Sequence, residues 1–203
     1  MPTVLVPPER IDRWIENFER GHGSTALSVA DASLTGLAED GSTFTARLPF
    51  DAAYDGPADP APFVEAMSVP DDWGVLLVRK GGFAVARLHG TTTSDSKVGQ
   101  RHVQGRTKAG GQSQQRFARR RDNQARQAYE AAAEHAARIL GGLRGPVVVG
   151  GDRGAVDEVL ADPRLRGLVT VDPWLAVPDP RRGVLEQAVA DARCAQVEVV
   201  NAT

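Results

Sequence analysis

Two adjacent glycines, a glutamine and a dense run of arginines stand together in this chain: Gly110-Gly111-Gln112-Ser113-Gln114-Gln115-Arg116-Phe117-Ala118-Arg119-Arg120-Arg121. The glycine pair lets the backbone reach dihedrals closed to other residues and come close to a ligand. Gln112 adds a main-chain N–H and a side-chain amide that both donates and accepts. That equipment can hold a water and an oxyanion without a charged group beside them. An amide does not titrate near neutral pH, so Gln112 can orient a water but cannot act as a general base. Its N–H can point at an oxyanion or a leaving oxygen. The arginines suit a phosphate backbone.

The basic run is part of a wider patch. Residues 97–126 contain Lys97, Arg101, Arg106, Lys108, Arg116, Arg119, Arg120, Arg121 and Arg126 against Asp122 alone. Lys108, Arg106, Arg116, Arg119, Arg120 and Arg121 are the candidate RNA-binding residues. Arg116 and Arg120 share one helix face, as do Arg119 and Asn123. So many like charges repel one another unless an anion is present. The net charge of the 203 residues is -2, which excludes a generic nucleic-acid coat and leaves RNA contact to this local patch. Acidic residues gather elsewhere, at Asp51, Asp55, Asp59, Asp71 and Asp72 and through the C-terminal third.

With 41% hydrophobic and 25% charged residues the composition is that of a soluble globular protein. Cys194 is the one cysteine, so neither an intrachain disulfide nor a cysteine-rich zinc site can form. His22, His89, His102 and His135 lack metal-ligand spacing, and no metal or organic cofactor is expected. No apolar run approaches membrane-spanning length and no signal-peptide core opens the chain. A monomer in a reducing cytoplasm is the expected state.

The elements that must carry the motif follow from periodicity. Ile11, Trp14, Ile15 and Phe18 fall at helical spacing after Pro7-Pro8 and predict a helix over 9–20, ended by Gly21-His22-Gly23. Strands are expected at 25–30, 33–38 and 43–49, with Glu39-Asp40-Gly41-Ser42 as a turn. Residues 51–62 read as a connector and 63–67 as a short helical turn. A buried strand at 73–78 and a hairpin partner at 83–88 come next. An exposed polar loop is expected over 90–109, long enough to be functional. One long helix follows, 113–140, with Phe117, Ala125, Ala128, Ala132, Ala136 and Ile139 inward and Gly141-Gly142 as its stop. A strand at 146–149, a helix from Asp152 to residue 160, a strand at 168–171, a helix at 183–193 and a strand at 196–200 complete the reading. Gly150-Gly151-Asp152 lacks a dinucleotide or P-loop fingerprint. It reads as a tight turn with Asp152 capping the helix. The alternation predicts an α/β protein.

Gly110-Gly111-Gln112-Ser113, two variable residues, and then Arg116-Phe117-Ala118-Arg119 and Arg121 resemble the catalytic domain of eukaryotic and archaeal peptide-chain release factors. The resemblance runs from about residue 72 to about 192. It implies a mixed-sheet α/β sandwich of the release-factor catalytic-domain type, here with an N-terminal helix-plus-strands extension. It also implies that the loop enters the peptidyl-transferase centre of the ribosomal large subunit and promotes hydrolysis of the peptidyl-tRNA ester. Gln112 would then be the catalytic amide, with Gly110 and Gly111 as geometric requirements, although Gln114 and Gln115 stand close enough that the assignment rests on the release-factor register. No codon-reading motif is found in residues 1–67. The organisation is therefore more similar to the release-factor-like peptidyl-tRNA hydrolases of ribosome quality control, and to a compact actinobacterial branch of them. Their target is a nascent chain still joined to tRNA on a stalled or split large subunit.

Two other functions fit the residues less well. A non-catalytic module could use the same basic helix to bind ribosomal RNA or tRNA. A nuclease would need clustered carboxylates for magnesium beside the basic helix, and the sequence has none there. The expected domains are 1–70, a helix and short strands packed on the rest, and 71–203, the catalytic domain. The apolar stripe of the first helix needs a cover, and three short strands cannot close a core alone.

Overall fold

The computed structural model describes residues 3–100 and 112–202, with residues 100 and 112–125 by their backbone alone. In chain order the elements are β1 (Thr3–Val6), α1 (Ile11–His22), β2 (Thr25–Ala30), β3 (Ser33–Ala38), β4 (Thr43–Arg47), α2 (Pro60–Ala66), β5 (Asp72–Arg79), β6 (Gly82–His89) and β7 (Thr92–Gln100). Then come α3 (Gln112–Leu140), β8 (Pro146–Gly151), α4 (Arg153–Leu160), β9 (Val169–Leu175), α5 (Arg182–Asp191) and β10 (Ala195–Val200). They form two units: residues 1–69 with 190–203, and residues 70–189.

The first unit is built on an antiparallel sheet in the order β1-β10-β4-β3-β2. Ile11, Ile15 and Phe18 of α1 are buried, as the stripe in the sequence requires. Phe44 of β4 meets the rings of Trp14 and Phe18 edge-on at 5.2 and 5.1 Å, a favoured aromatic geometry. Gly36 lies across from Phe44, and a Cβ there would come within 2.2 Å of the ring. The ring thus fills the space that the glycine leaves. Leu34, Ala46, Phe63 and Val197 complete the core. Asp59 caps α2 by accepting from the N–H of Ala61 at 2.9 Å.

The second unit carries a mixed sheet in the order β7-β6-β5-β8-β9, antiparallel through β7, β6 and β5 and parallel through β5, β8 and β9. Trp73 to Val78 are buried at every position, hence on both faces, which explains the unbroken apolar run. The helices α3 and α4 pack over Leu76, Val78, Val85, Val147 and Val149 through Ala132, Ala136, Ile139, Val156 and Val159.

The mixed α/β architecture agrees with the sequence reading, and β2, β3 and the long helix stand where they were expected. Four features differ. The final strand, β10, falls within the expected span 71–203 of the catalytic domain, yet it lies between β1 and β4 in the first sheet. A six-residue strand carries no mark of its partner, and Val197 belongs to the first core. β1, only four residues long, has no counterpart among the expected strands. The expected loop 90–109 begins instead with β7. Its polar sequence hides a strand at a sheet edge, where most side chains face water; the remainder of that loop lies outside the described residues. Finally, β9 runs on to Leu175, past Pro173, which an edge strand tolerates.

Candidate functional site

The two stems of the expected catalytic loop are β7, which leads in, and α3, which leads out. Gly110, Gly111, Arg106 and Lys108 lie outside the described residues, as does His102. Gln112 is the first residue of α3, and Arg116, Arg119, Arg120 and Arg121 all belong to that helix. Nothing further is described of these side chains, nor of Phe117 and Ala125, two of the expected inward residues.

Further along, α3 is firmly held. Ala128, Ala132, Ala133, Ala136, Ile139 and Leu140 are buried. Small side chains at four of these positions let the helix lie close to the sheet, and alanine also favours the helix itself. At 1.5 Å per residue the 29-residue helix is about 43 Å long, with Gln112 about 24 Å along the axis from Ala128. The part from Ala128 onward is thus fixed on the sheet, and the basic run precedes it in the same helix.

Three contacts tie the stems to one another. The ring of Phe83 on β6 stacks on His135 of α3, with centroids 5.5 Å apart and planes inclined by 25°. Phe83 also lies against Gly99 near the end of β7, where a Cβ would stand 2.2 Å from the ring. Arg138 of α3 donates to Asp95 of β7 at 2.7 Å, and this bond holds the Asp95 carboxyl below its ordinary pKa of 3.8. Where α3 ends, Arg87 forks onto Asp72, with Nε and Nη2 donating at 2.9 and 2.6 Å. Its Nη1 also reaches the carbonyl of Gly141 at 3.4 Å. That hydrogen bond from Arg87 is the first cause of the lowered Asp72 pKa. Sequence reasoning missed all three ties. They join positions far apart in the chain, and no local pattern announces such pairs.

The second glycine pair has a packing explanation. A Cβ on Gly150 would come within 2.4 Å of the Leu175 carbonyl oxygen, and one on Gly151 within 2.2 Å of that of Val78. Gly151 also has φ +100°, a region that favours glycine. Neighbouring backbones thus account for both residues, which close β8, paired with Leu77 and Val78, where the sequence reading expects a tight turn. One detail is corrected. Asp152 does not cap α4 with its side chain. Its carboxylate lies 3.5 Å from Arg79 Nε, which offers a charged partner, while its carbonyl accepts from the N–H groups of Ala155 and Val156. Likewise, Gly21-His22-Gly23 is a helix end, with Gly23 at φ +95° and His22 Nδ1 2.9 Å from Asp40.

Charge separates sharply between the units. Residues 70–189 contain nineteen Lys and Arg against thirteen Asp and Glu, a formal +6. Nine of those nineteen fall in residues 97–126, so the excess belongs to the loop and the start of α3. Among the described residues, no group of His, Cys, Asp and Glu could hold a metal ion, and no helix is long and apolar enough to cross a membrane.

A family model described as "Actinobacteria/chloroflexi VLRF1 release factor" matches residues 71–198. Among solved structures, the chain is similar to an archaeal translation termination factor, aRF1, at 15% identity and a TM-score of 0.40, covering 94% of this chain and 65% of that one. It is also similar to Archaeoglobus fulgidus Pelota at 10% identity and a TM-score of 0.30, covering 93% of this chain and 62% of that one. The chain thus spans somewhat less than two thirds of the length of either. No curated protein matches it. The matched segment takes in all of β5 to α5, the whole glycine–glutamine loop and both of its stems, and on that match the chain belongs to the Actinobacteria/chloroflexi VLRF1 release factor family.

Proposed function

We propose that this protein is a peptidyl-tRNA hydrolase that frees nascent chains from tRNA on stalled or split ribosomal large subunits. The observation that carries the reading is Gly110-Gly111 directly before a long helix that starts at Gln112, carries four arginines in its first turns and is anchored at its far end, inside the family-matched segment. Ester hydrolysis needs an oriented water, stabilisation of the developing oxyanion and a proton route to the leaving tRNA hydroxyl. Gln112 supplies the first two, its amide orienting the water and its N–H facing the oxygen that gains charge. The ribosome and the tRNA terminus supply the proton route. Gly110 and Gly111 allow the loop backbone to approach the ester. Arg106, Lys108, Arg116, Arg119, Arg120 and Arg121 bind RNA phosphates and hold the loop in register. The chemistry calls for no metal or organic cofactor, and the reading places the protein in the cytoplasm.

The test is direct. Purified protein is added to large subunits carrying labelled peptidyl-tRNA, and both products are followed. The expected result is free peptide together with intact tRNA. Bound protein with uncleaved peptidyl-tRNA would replace this reading with that of an RNA-binding module, and cut tRNA would replace it with a nuclease.

A further inference from the structure

A sheet has two edges, and an unprotected edge strand is a template for another chain. Three of the four edges here carry recognised protection. The edge strand β1 has only four residues and runs into Pro7-Pro8. Asp95 and Lys97 lie within β7, which also pairs through an irregular register. Pro173, which has no N–H to offer, interrupts β9. The fourth edge, β2, reads Thr-Ala-Leu-Ser-Val-Ala, with no charge, no proline and no register break against β3. Alternate residues of an antiparallel strand turn their N–H and C=O groups away from the partner. Among the described residues, no strand pairs with that outer side of β2.

The side chains define what would fit. Leu27 and Val29 are half-buried at the margin of the first core, so an incoming strand with apolar residues on that face would complete their cover. Ala26, Ser28 and Ala30 are small and exposed on the other face, which leaves room for long side chains. The electrostatics favour basic ones. From residue 21 to residue 78 Arg47 is the single Lys or Arg, against nine Asp and Glu. Asp31 follows β2 directly, and Glu39 bonds to the carbonyl of Ser24 just before it. The whole first unit has five Lys and Arg against thirteen Asp and Glu, a formal -8. Such a field repels RNA and attracts a cationic protein segment. It also disfavours a second copy of this chain, which would set two identical acidic hairpins side by side.

We propose that β2 receives an extended basic peptide from a partner protein as a sixth strand of the first sheet, with apolar side chains alternating with lysine or arginine. Main-chain hydrogen bonds supply the affinity, and the alternation and charge supply the selectivity.

The experiment uses the full chain and a dye-labelled peptide of alternating valine and lysine as long as β2, followed by fluorescence anisotropy. A version with prolines at alternate valines keeps the charge but cannot form the ladder, and a valine–glutamate version keeps the ladder but reverses the charge. The expected result is binding about tenfold tighter than either control, with amide shifts in β2. Ser28→Lys and Ala26→Lys, each melting like the parent, should weaken binding about tenfold, because an edge lysine blocks strand addition. Equal binding of the proline peptide, or unchanged binding by both melting-competent lysine variants, would overturn the proposal. A concentration-dependent dimer abolished by Ser28→Lys would overturn it as well, in favour of a second copy.

Discussion

Among the described residues the two sheets have five strands each, but they lie in units of opposite charge. The sheet of residues 1–69 and 190–203 sits in a unit of formal charge -8, and that of residues 70–189 in one of +6. A net charge of -2 conceals both. Charge is a statement about partners, not about fold, and both units bury cores of ordinary composition. The difference therefore points to a division of labour: the basic unit carries the proposed RNA-directed chemistry, and the acidic unit is unsuited to RNA.

The largest effect that would test this division concerns the boundary. A fragment of residues 71–203 keeps β10 but lacks both of its partners, β1 and β4. It should aggregate or fail to melt cooperatively, as measured by light scattering and calorimetry. A soluble fragment with a sharp transition would show that the basic unit stands alone, and that the first unit is an independent module.

Within the basic unit, Gln112→Ala should slow peptide release about a hundredfold, in line with the loss of one oxyanion donor or water-orienting group. Ribosome binding and melting temperature should stay unchanged, since the first described core residue of α3 lies sixteen positions further on. Release at the parental rate would move the active amide to Gln114 or Gln115.

Next in size is a paired charge experiment. Arg119→Glu with Arg120→Glu should weaken large-subunit binding about tenfold and lower the salt slope by roughly one per lost phosphate contact. Glu16→Gln, on the exposed side of α1, should leave both quantities unchanged. Equal responses from the two units would break the comparison.

Gly151→Ala should cost about 1–3 kcal/mol, because alanine is strained at φ +100° and its Cβ would collide with the Val78 carbonyl. Thermal unfolding measures this.

The smallest effect is on pH dependence. The folded-state pKa of Asp72 is depressed by Arg87, so its contribution is complete above the ordinary 3.8 and is lost as pH falls through the lower folded value. Asp72→Asn should cost under about 1 kcal/mol at neutral pH, given a partly exposed pair. That difference should vanish in acid, and a constant difference down to the acid transition would mean the pair contributes nothing through charge.

Much of this protein was legible in its residues. The stripe of Ile11, Ile15 and Phe18 places α1, and alternation with a Glu39-Asp40-Gly41-Ser42 turn places β3 and β4. The run from Trp73 to Val78 announces a buried strand. Gly110-Gly111-Gln112 and the arginines behind it name the candidate chemistry by residue type and spacing alone. These are local signals, set by side-chain period and backbone freedom over a few residues. What only the tertiary structure decided is non-local. It sent β10 to the first sheet, between β1 and β4, where Val197 belongs to the core. It made a strand of Thr92–Gln100, because β6 offered an open edge. It also joined Asp95 to Arg138 and stacked Phe83 on His135, bracing the two stems of the loop. Each of these depends on surfaces brought together from distant parts of the chain, and their energy exists only once the rest has packed.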